Sequence, residues 1–251
     1  LNYDATEKIG AGYGMVKYTL KEWELIAGVR VEHTNQGYVL KFPRDVDPEG
    51  NQDYTDVLPS FHAKYGIHRN ANLRFSYARA INRPSFFEIV PYSIINEDLR
   101  YEFFPKSSEQ FMVGLFYKNI QDPIEYGLLN EGQDTYYKPM NFGDAKNLGM
   151  EVDVMKYFNW FGIKANYTYT HSKVTTYERI MEGSEVKSVR QSRPLFGQAA
   201  HVANLSLLFK ETRHGWEGQV SASYTGKRLS DISNWYEDDI WEDGYAQLDA
   251  S

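Results

Sequence analysis

The sequence predicts an all-β protein, an antiparallel up-and-down β-barrel of the transmembrane type. Three observations support this prediction. Apolar and polar residues alternate with a period of two in many segments, the connections between these segments alternate between short and long, and aromatic residues are frequent near the segment ends. Together they indicate strands with one lipid-facing side and one polar side.

Composition narrows the class of protein. The chain has 251 residues, a formal net charge of -7, no cysteine, 20 tyrosines and 14 phenylalanines. This length suits one large all-β domain or two ordinary ones. The acidic balance argues against a broad basic surface for nucleic acid, and the missing thiols exclude disulfides and thiolate metal sites. Apolar runs are too short for a transmembrane helix, and no signal peptide is visible, so we expect a mature protein or a fragment.

Ten segments alternate strictly, and an eleventh begins near the end of the chain. In 147–154 the alternation sets Leu148, Met150, Val152 and Val154 against Gly149, Glu151 and Asp153. Comparable patterns occupy 25–31, 163–170, 204–209 and 219–224. Each segment is predicted to be a strand with one apolar and one polar face.

The connections alternate in length without exception. Five are short, at 21–22, 68–72, 105–109, 159–160 and 211–216, and five are long, at 38–56, 84–98, 121–146, 174–200 and 227–243. In an up-and-down sheet alternate connections lie at the same rim, so one rim carries tight turns and the other long loops. Outer-membrane barrels have this asymmetry. A soluble β-sandwich, the alternative, has Greek-key connections and no reason to separate loop lengths in this way.

The sequence also resembles a known family. The stretches that carry the resemblance are FSYARAINRPSFFEIVPY, GLFYKNIQDPIEYGL, NFGDAKNLGMEVDVMKYF and FGIKANYTYTHSK, in this order along the chain. They are similar to the barrel of TonB-dependent outer-membrane receptors, in the forms common in Bacteroidota. The resemblance implies a plug domain followed by a 22-stranded barrel. Residues 1–251 would then be a C-terminal portion of that barrel, about ten strands of the 22, without the plug.

Two features depart from the family pattern. The chain stops at QLDAS, inside an apparent strand, without the aromatic terminal residue usual in such barrels. The stretch PYSIINEDLRYEFF is shorter than the resemblance leads us to expect, which suggests residues missing between Asp98 and Leu99.

Arginine side chains mark the end of one strand. Leu73, Phe75 and Tyr77 form its apolar face, and Arg79 and Arg83 continue that face towards the rim with long loops. Pro84 cannot donate to a ladder, so pairing should stop there. Both guanidinium groups are candidates for contact with outer-leaflet phosphates. The alternative is that they extend to the interface without a specific partner or form salt bridges within the rim.

The long loops contain the other candidate residues, which combine aromatic rings suited to stacking with carboxylates suited to binding cations. They are Trp235, Tyr236, Asp238, Asp239, Trp241, Tyr136 and Tyr137. The alternative for both loops is an ordinary solvated surface. The six histidines are scattered without ligand spacing, so no metal site is predicted. We predict no cofactor, and no arrangement of catalytic residues indicates an enzyme.

The resemblance implies a function. A receptor of this family takes up a scarce nutrient such as a siderophore, glycan, peptide or cobalamin across the cell outer membrane of a Gram-negative bacterium. The TonB–ExbB–ExbD complex would supply the energy through the plug, and outer-membrane lipid and a surface lipoprotein are the other expected partners. Two alternatives stay open: a passive porin or adhesive barrel, and a soluble β-sandwich that binds ligands.

Overall fold

The structure is a computed structural model that describes residues 2–42, 49–82, 92–131, 134–141, 143–211 and 213–251. The described residues form strands and turns without a helix, and no helix among them could cross a membrane. The strands are β1 (Asn2–Leu20), β2 (Trp23–Phe42), β3 (Glu49–His68), β4 (Ala71–Asn82), β5 (Tyr92–Phe103), β6 (Gln110–Gln121), β7 (Ile124–Glu131), β8 (Asp134–Asn141), β9 (Ala145–Phe158), β10 (Phe161–Glu182), β11 (Glu185–Arg193), β12 (His201–Glu211), β13 (Trp216–Thr225), β14 (Arg228–Ser233), β15 (Ile240–Glu242) and β16 (Tyr245–Ala250).

Eleven of these strands form one continuous antiparallel meander. Their order is β1-β2-β3-β4-β5-β6-β9-β10-β12-β13-β16, with β11 paired to β10 beside this path. The predicted ten strands and the start of an eleventh are confirmed, and β2 pairs with its sequence neighbours on both sides. A single sheet in sequence order contradicts the β-sandwich alternative, which needs two sheets and Greek-key crossings.

The short connections are tight turns, as predicted. Lys21 and Asn159 each have a φ of 52°, in the left-handed region that a tight hairpin turn requires. The turn after β12 uses Gly215, with a φ of 74°, for the same purpose. These turns all lie at one rim of the sheet.

The long connections contain more strand than the sequence suggested. Strand β2 continues to Phe42 and β3 begins at Glu49, although a loop was expected over 38–56. Strands β7 and β8 fill most of 121–146, the end of β10 and β11 fill most of 174–200, and β14 and β15 lie within 227–243. Continued pairing satisfies backbone N–H and C=O groups beyond the main meander, which an irregular loop would leave to water.

Strand β5 gives no support for residues missing between Asp98 and Leu99. It begins at Tyr92, so the last seven residues of the expected 84–98 loop are strand. Asp98 lies opposite Ser76 and Leu99 lies opposite Phe75, in a ladder whose register runs unbroken from Phe103 to Tyr92.

The two faces of the meander differ in chemistry. One register row joins Phe75, Leu99, Leu115, Met150 and Tyr169 across five strands. Neighbouring rows extend this outward apolar face, whose exposed members include Val16, Tyr18, Leu73, Phe111, Leu148, Leu205, Leu207, Val220, Tyr224 and Leu248. Such a face is suited to lipid, because water would solvate it poorly.

Candidate functional site: the inner wall and the loops at its mouth

The polar face of the sheet forms an inner wall with paired charges. Its ion pairs include Lys17–Glu24 (2.9 Å), Arg74–Glu102 (2.7 Å) and Arg100–Glu151 (3.3 Å). Glu24, Arg74 and Arg100 line a depression of about 390 Å³, together with His62, Lys64, Ser76 and Asp98. This wall therefore presents positive and negative side chains, which donate and accept hydrogen bonds, to any molecule that lies against it.

A glycine allows one of these ion pairs to cross a whole strand. Arg100 is on β5 and Glu151 is on β9, and the strand between them, β6, places Gly114 at the same register position. The Nε atom of Arg100 lies 3.5 Å from the position where a Cβ of residue 114 would be. A larger side chain there would stand between the guanidinium and the carboxylate.

The inner wall continues over β10, β12 and β13 with smaller polar groups. Asn204 donates to Asn166 at 2.8 Å, and the hydroxyls of Ser206 and Ser221 are 2.9 Å apart. Ser223 lies opposite Asn204 in the same register. These polar residues therefore share one face of the sheet, as the alternation predicts.

Towards the rim with long loops the inner wall becomes apolar. One register row joins Ile94, Ile120, Ala145 and Val174, and the last two are completely buried. Leu195 packs against this row. The segment after β11 thus folds back onto the inner wall, and the barrel mouth is narrowed by its own chain.

Three long loops join into one assembly at this mouth. Strand β14 pairs in parallel with β7, which makes a small sheet of the order β15-β14-β7-β8. Leu229 and Ile232 of β14 are 0% and 1% exposed. The backbone of Gly197 donates to the Leu229 carbonyl at 2.9 Å, and that of Arg179 donates to the Asn234 carbonyl at 2.9 Å. The loops after β6, β10 and β13 therefore support one another.

A buried ionic cluster lies within the loop assembly. Arg193 Nη2 donates to Glu125 Oε2 at 3.0 Å, and its Nε is 3.9 Å from Glu178 Oε1. The other Glu125 oxygen accepts the backbone N–H of Phe196 at 2.6 Å. Burial, with the charge of Asp239 as a second cause, raises the pKa of the Glu178 carboxyl to about 7. Burial also raises the pKa of Asp239.

The predicted acidic residues of the 227–243 loop make hydrogen bonds within the loop assembly. Asp239 accepts Ser233 N of its own loop at 3.0 Å and Gln191 Nε2 of β11 at 2.8 Å. Asp238 accepts the Ser233 hydroxyl at 3.3 Å. Within the described ranges no group of acidic or histidine side chains is arranged to hold a metal ion.

The aromatic rings of the 227–243 loop differ in their exposure and in their contacts. Trp235 is half-buried and bridges to Arg179 through its backbone, whereas Tyr236 is 37% exposed. Trp241 is 40% exposed, with Lys227 Nζ 5.2 Å from its ring centre. Tyr136 and Tyr137 lie on β8 opposite Leu129 and Leu128, but their side chains lie outside the described part of the structure. Among the described rings of the candidate residues, Tyr236 and Trp241 are therefore the accessible ones.

Comparison with known proteins identifies the family. The model of the TonB dependent receptor-like β-barrel matches residues 1–251. The chain belongs to this family. No curated protein matches it in sequence.

Solved TonB-dependent receptors share the fold of this chain. The siderophore receptor PiuA from Acinetobacter baumannii matches with a TM-score of 0.78 and 16% identity, over 99% of this chain and 37% of PiuA. The ferric citrate transporter FecA, unliganded, gives 0.74 and 14% over 99% and 37%. The FrpB iron transporter from Neisseria meningitidis (F3-3 variant) gives 0.70 and 13% over 98% and 37%. The chain thus spans little more than a third of the length of each.

Within this receptor barrel, the outward face carries a basic pair that was not predicted, Lys146 and Lys173. Arg79 lies on β4 opposite Ile95, and the same register row continues through Asn119 to Lys146 and Lys173. Both lysines are exposed. Arg83, predicted to act with Arg79, lies outside the described residues.

The ionic cluster of the receptor's loops was also missed by sequence reasoning. Glu125 and Arg193 are 68 residues apart, and each lies in a segment that the sequence predicts to be a long loop. Alternation carried no signal for their contact, because alternation assigns faces within a strand and not the packing of one loop on another.

Proposed function

We propose that the chain forms part of the wall and mouth of an outer-membrane receptor that takes up a scarce nutrient with energy from TonB. The observation that carries the proposal is the family match over the whole chain, combined with loops that fold inward over a polar inner wall. In this arrangement the loops meet the ligand first. The inner wall then offers it alternating charges along the route inward.

The proposed substrate class is a chelated metal ion. FrpB, PiuA and FecA carry the words iron transporter, siderophore receptor and ferric citrate transporter in their names. The basic row of Lys64, Arg74 and Arg100 on the inner wall suits the anionic groups of such chelates. A glycan, a peptide and cobalamin are the competing substrates, and uptake assays distinguish them.

The proposed partners follow from the same function. The TonB–ExbB–ExbD complex would act through a region outside this chain, and a surface lipoprotein would be a further partner at the loops. Outer-leaflet lipid would contact Arg79, together with Lys146 and Lys173 of the same register row. A carboxylate or phosphate can satisfy such cations better than lipid tails can.

The test is uptake by cells that express the full receptor. We expect growth on a ferric chelate as the iron source, and accumulation of radiolabelled iron, to require both the receptor gene and a functional TonB. Collapse of the proton-motive force should abolish accumulation. Accumulation that persists without TonB would instead favour the passive porin. Receptor-dependent use of a glycan, peptide or cobalamin, with no response to iron chelates, would replace the substrate class but keep the transport function.

A further inference from the structure

The buried ionic cluster joins three separate loops and has an excess of negative groups. Glu125 comes from β7, Glu178 from β10, Arg193 from the end of β11, and Asp239 from the segment between β14 and β15. The first three are 4%, 3% and 5% exposed. The guanidinium of Arg193 therefore bonds to one buried carboxyl group, Glu125, and lies near a second, Glu178, while the partly buried Asp239 interacts with it electrostatically.

The contacts within the cluster are unequal. Glu125 has a direct bond to Arg193 at 3.0 Å, whereas Glu178 lies 3.9 Å from the same guanidinium. Glu178 Oε1 accepts the Thr176 hydroxyl at 3.2 Å, but its Oε2 is buried and makes no hydrogen bond to the described residues. An ionised carboxylate held this way costs free energy, because neither water nor a close cation compensates its charge.

The remaining ionisable groups near Glu178 come from the β14–β15 segment. The charge of Asp239 repels that of Glu178. Tyr236 also interacts electrostatically with Glu178, but it carries no positive charge. Asp238, next to Asp239, adds further negative charge on that side. Arg193 is the one cation that acts on Glu178 among these neighbours.

We propose that Glu178 is a proton-operated clasp, which in its neutral form holds the three loops together over the mouth and in its ionised form loosens them. The proton comes from and returns to solvent, and the carboxyl group is the only one that must change charge. Glu178 is suited to this role because β10 carries it on the inward face between two other segments: β11 pairs with β10 on one side, and Asn234 and Tyr236 hydrogen bond to the backbone of Arg179 on the other.

The direction of the pH effect follows from the pKa. The Glu178 carboxyl has a pKa of about 7 in the closed assembly, against 4.5 for the ordinary group. The closed assembly therefore binds the proton more tightly than the open loops. Its stabilisation is complete below pH 4.5 and is lost as the pH rises to about 7. Within this window each pH unit changes the ratio of closed to open loops by up to about tenfold.

The test measures the separation of two loops in the full receptor in lipid nanodiscs. Spin labels are placed at Ser184→Cys, at the tip of the β10–β11 hairpin, and at Asp243→Cys, after β15, in a part of the receptor that has no other cysteine, and any cysteine outside residues 1–251 is first replaced by serine. At about pH 5 we expect one narrow distance distribution, and at about pH 8 a second, longer population. Wild-type distances that do not change with pH would overturn the proposal.

Two variants make the test specific. Glu178→Gln keeps the size of the side chain without a titratable proton, so it should give the narrow distribution at both pH values. Glu182→Gln, which removes an exposed carboxylate from the same strand, should keep the wild-type response. A Glu178→Gln receptor that responds to pH like wild type would also overturn the proposal. The consequence for uptake rests on the proposed transport function, but the distances are measured without transport, so the two can fail separately.

Discussion

Asn204 donates its side-chain amide to Asn166 Oδ1 at 2.8 Å across the β10–β12 ladder, on the inner wall. Ala165, which precedes Asn166 on β10, lies opposite Val154 and Leu205 on the outward face. Adjacent residues of β10 therefore face different solvents, lipid on one side and the polar lumen on the other, if the barrel lies in a membrane as proposed.

This difference gives a matched pair of substitutions. Ala165→Arg should destabilise the inserted receptor by about 2–4 kcal/mol, because it puts a guanidinium among lipid tails. Asn166→Arg should have a much smaller effect, since its guanidinium enters the polar lumen. Denaturant titration of the receptor in lipid vesicles measures both. Equal losses for the two variants would contradict the assignment of the faces.

The apolar contacts of β14 should control the stability of the loop assembly. Leu229 is 0% exposed, so Leu229→Ala should leave a cavity and destabilise the assembly by about 2–5 kcal/mol. Amide hydrogen exchange in β7 and β14 should accelerate accordingly. Leu248→Ala is the control, because Leu248 is 77% exposed on the outward face and contributes little packing within the protein. Unchanged exchange in Leu229→Ala would show that the loops do not depend on this contact.

One turn at the opposite rim should be sensitive to acid. The Glu109 side chain is 1% exposed and accepts Lys156 Nζ at 2.7 Å, with Lys106 Nζ at 3.5 Å from its other oxygen. Its hydrogen bond to Lys156 is the largest cause of a pKa below the usual 4.5. The carboxylate therefore stabilises the turn above pH 4.5, and this stabilisation is lost as the pH falls through the lowered pKa.

Hydrogen exchange of the 104–109 turn tests this dependence. Wild-type protection should fall on acidification below about pH 4.5, whereas Glu109→Gln should be poorly protected at neutral pH and change little with acid. Glu22→Gln, in the exposed β1–β2 turn, should leave the acid response of the 104–109 turn intact. A wild-type response retained by Glu109→Gln would assign the acid sensitivity to another group.

The basic pair on the outward face should bind phosphorylated lipid. Lys146 and Lys173 lie directly opposite each other, and such like charges repel unless an anion lies between them. Replacing both by Gln should weaken binding of a phosphorylated glycolipid by about 2 kcal/mol, taking about 1 kcal/mol for each cation. Native mass spectrometry of the detergent-solubilised receptor measures this binding. Lys187→Gln, on the β10–β11 hairpin, is the control, and an equal loss there would indicate attraction to net charge alone.

Residues 1–251 expressed alone should not form a stable monomer in water. Within the described residues β1 and β16 each pair on one side only, and the outward face is apolar. Free ladder groups and an apolar face promote association. Size-exclusion chromatography without detergent should show aggregates, and a sharp monomer peak with cooperative unfolding would argue against the membrane barrel.

The sequence by itself determined the meander, the two faces of its strands and the separation of turns from loops. These features are local: a period of two assigns each side chain to a face, and residues such as Asn159 mark a tight turn. The family followed from stretches such as NLGMEVDVMKYF, and the comparison over residues 1–251 shows it.

Only the tertiary structure decided what happens at the mouth. Val174 lies at the start of a predicted long loop, and its place on the inner wall under Leu195 appears only in the folded chain. Likewise Arg193 and Glu178 meet Glu125 only because two long loops pack on one another. Such contacts depend on the positions of distant segments and not on the pattern within any one of them. For the same reason composition selected Asp238 and Asp239 as candidates but could not show their hydrogen bonds to Ser233 or that of Asp239 to Gln191.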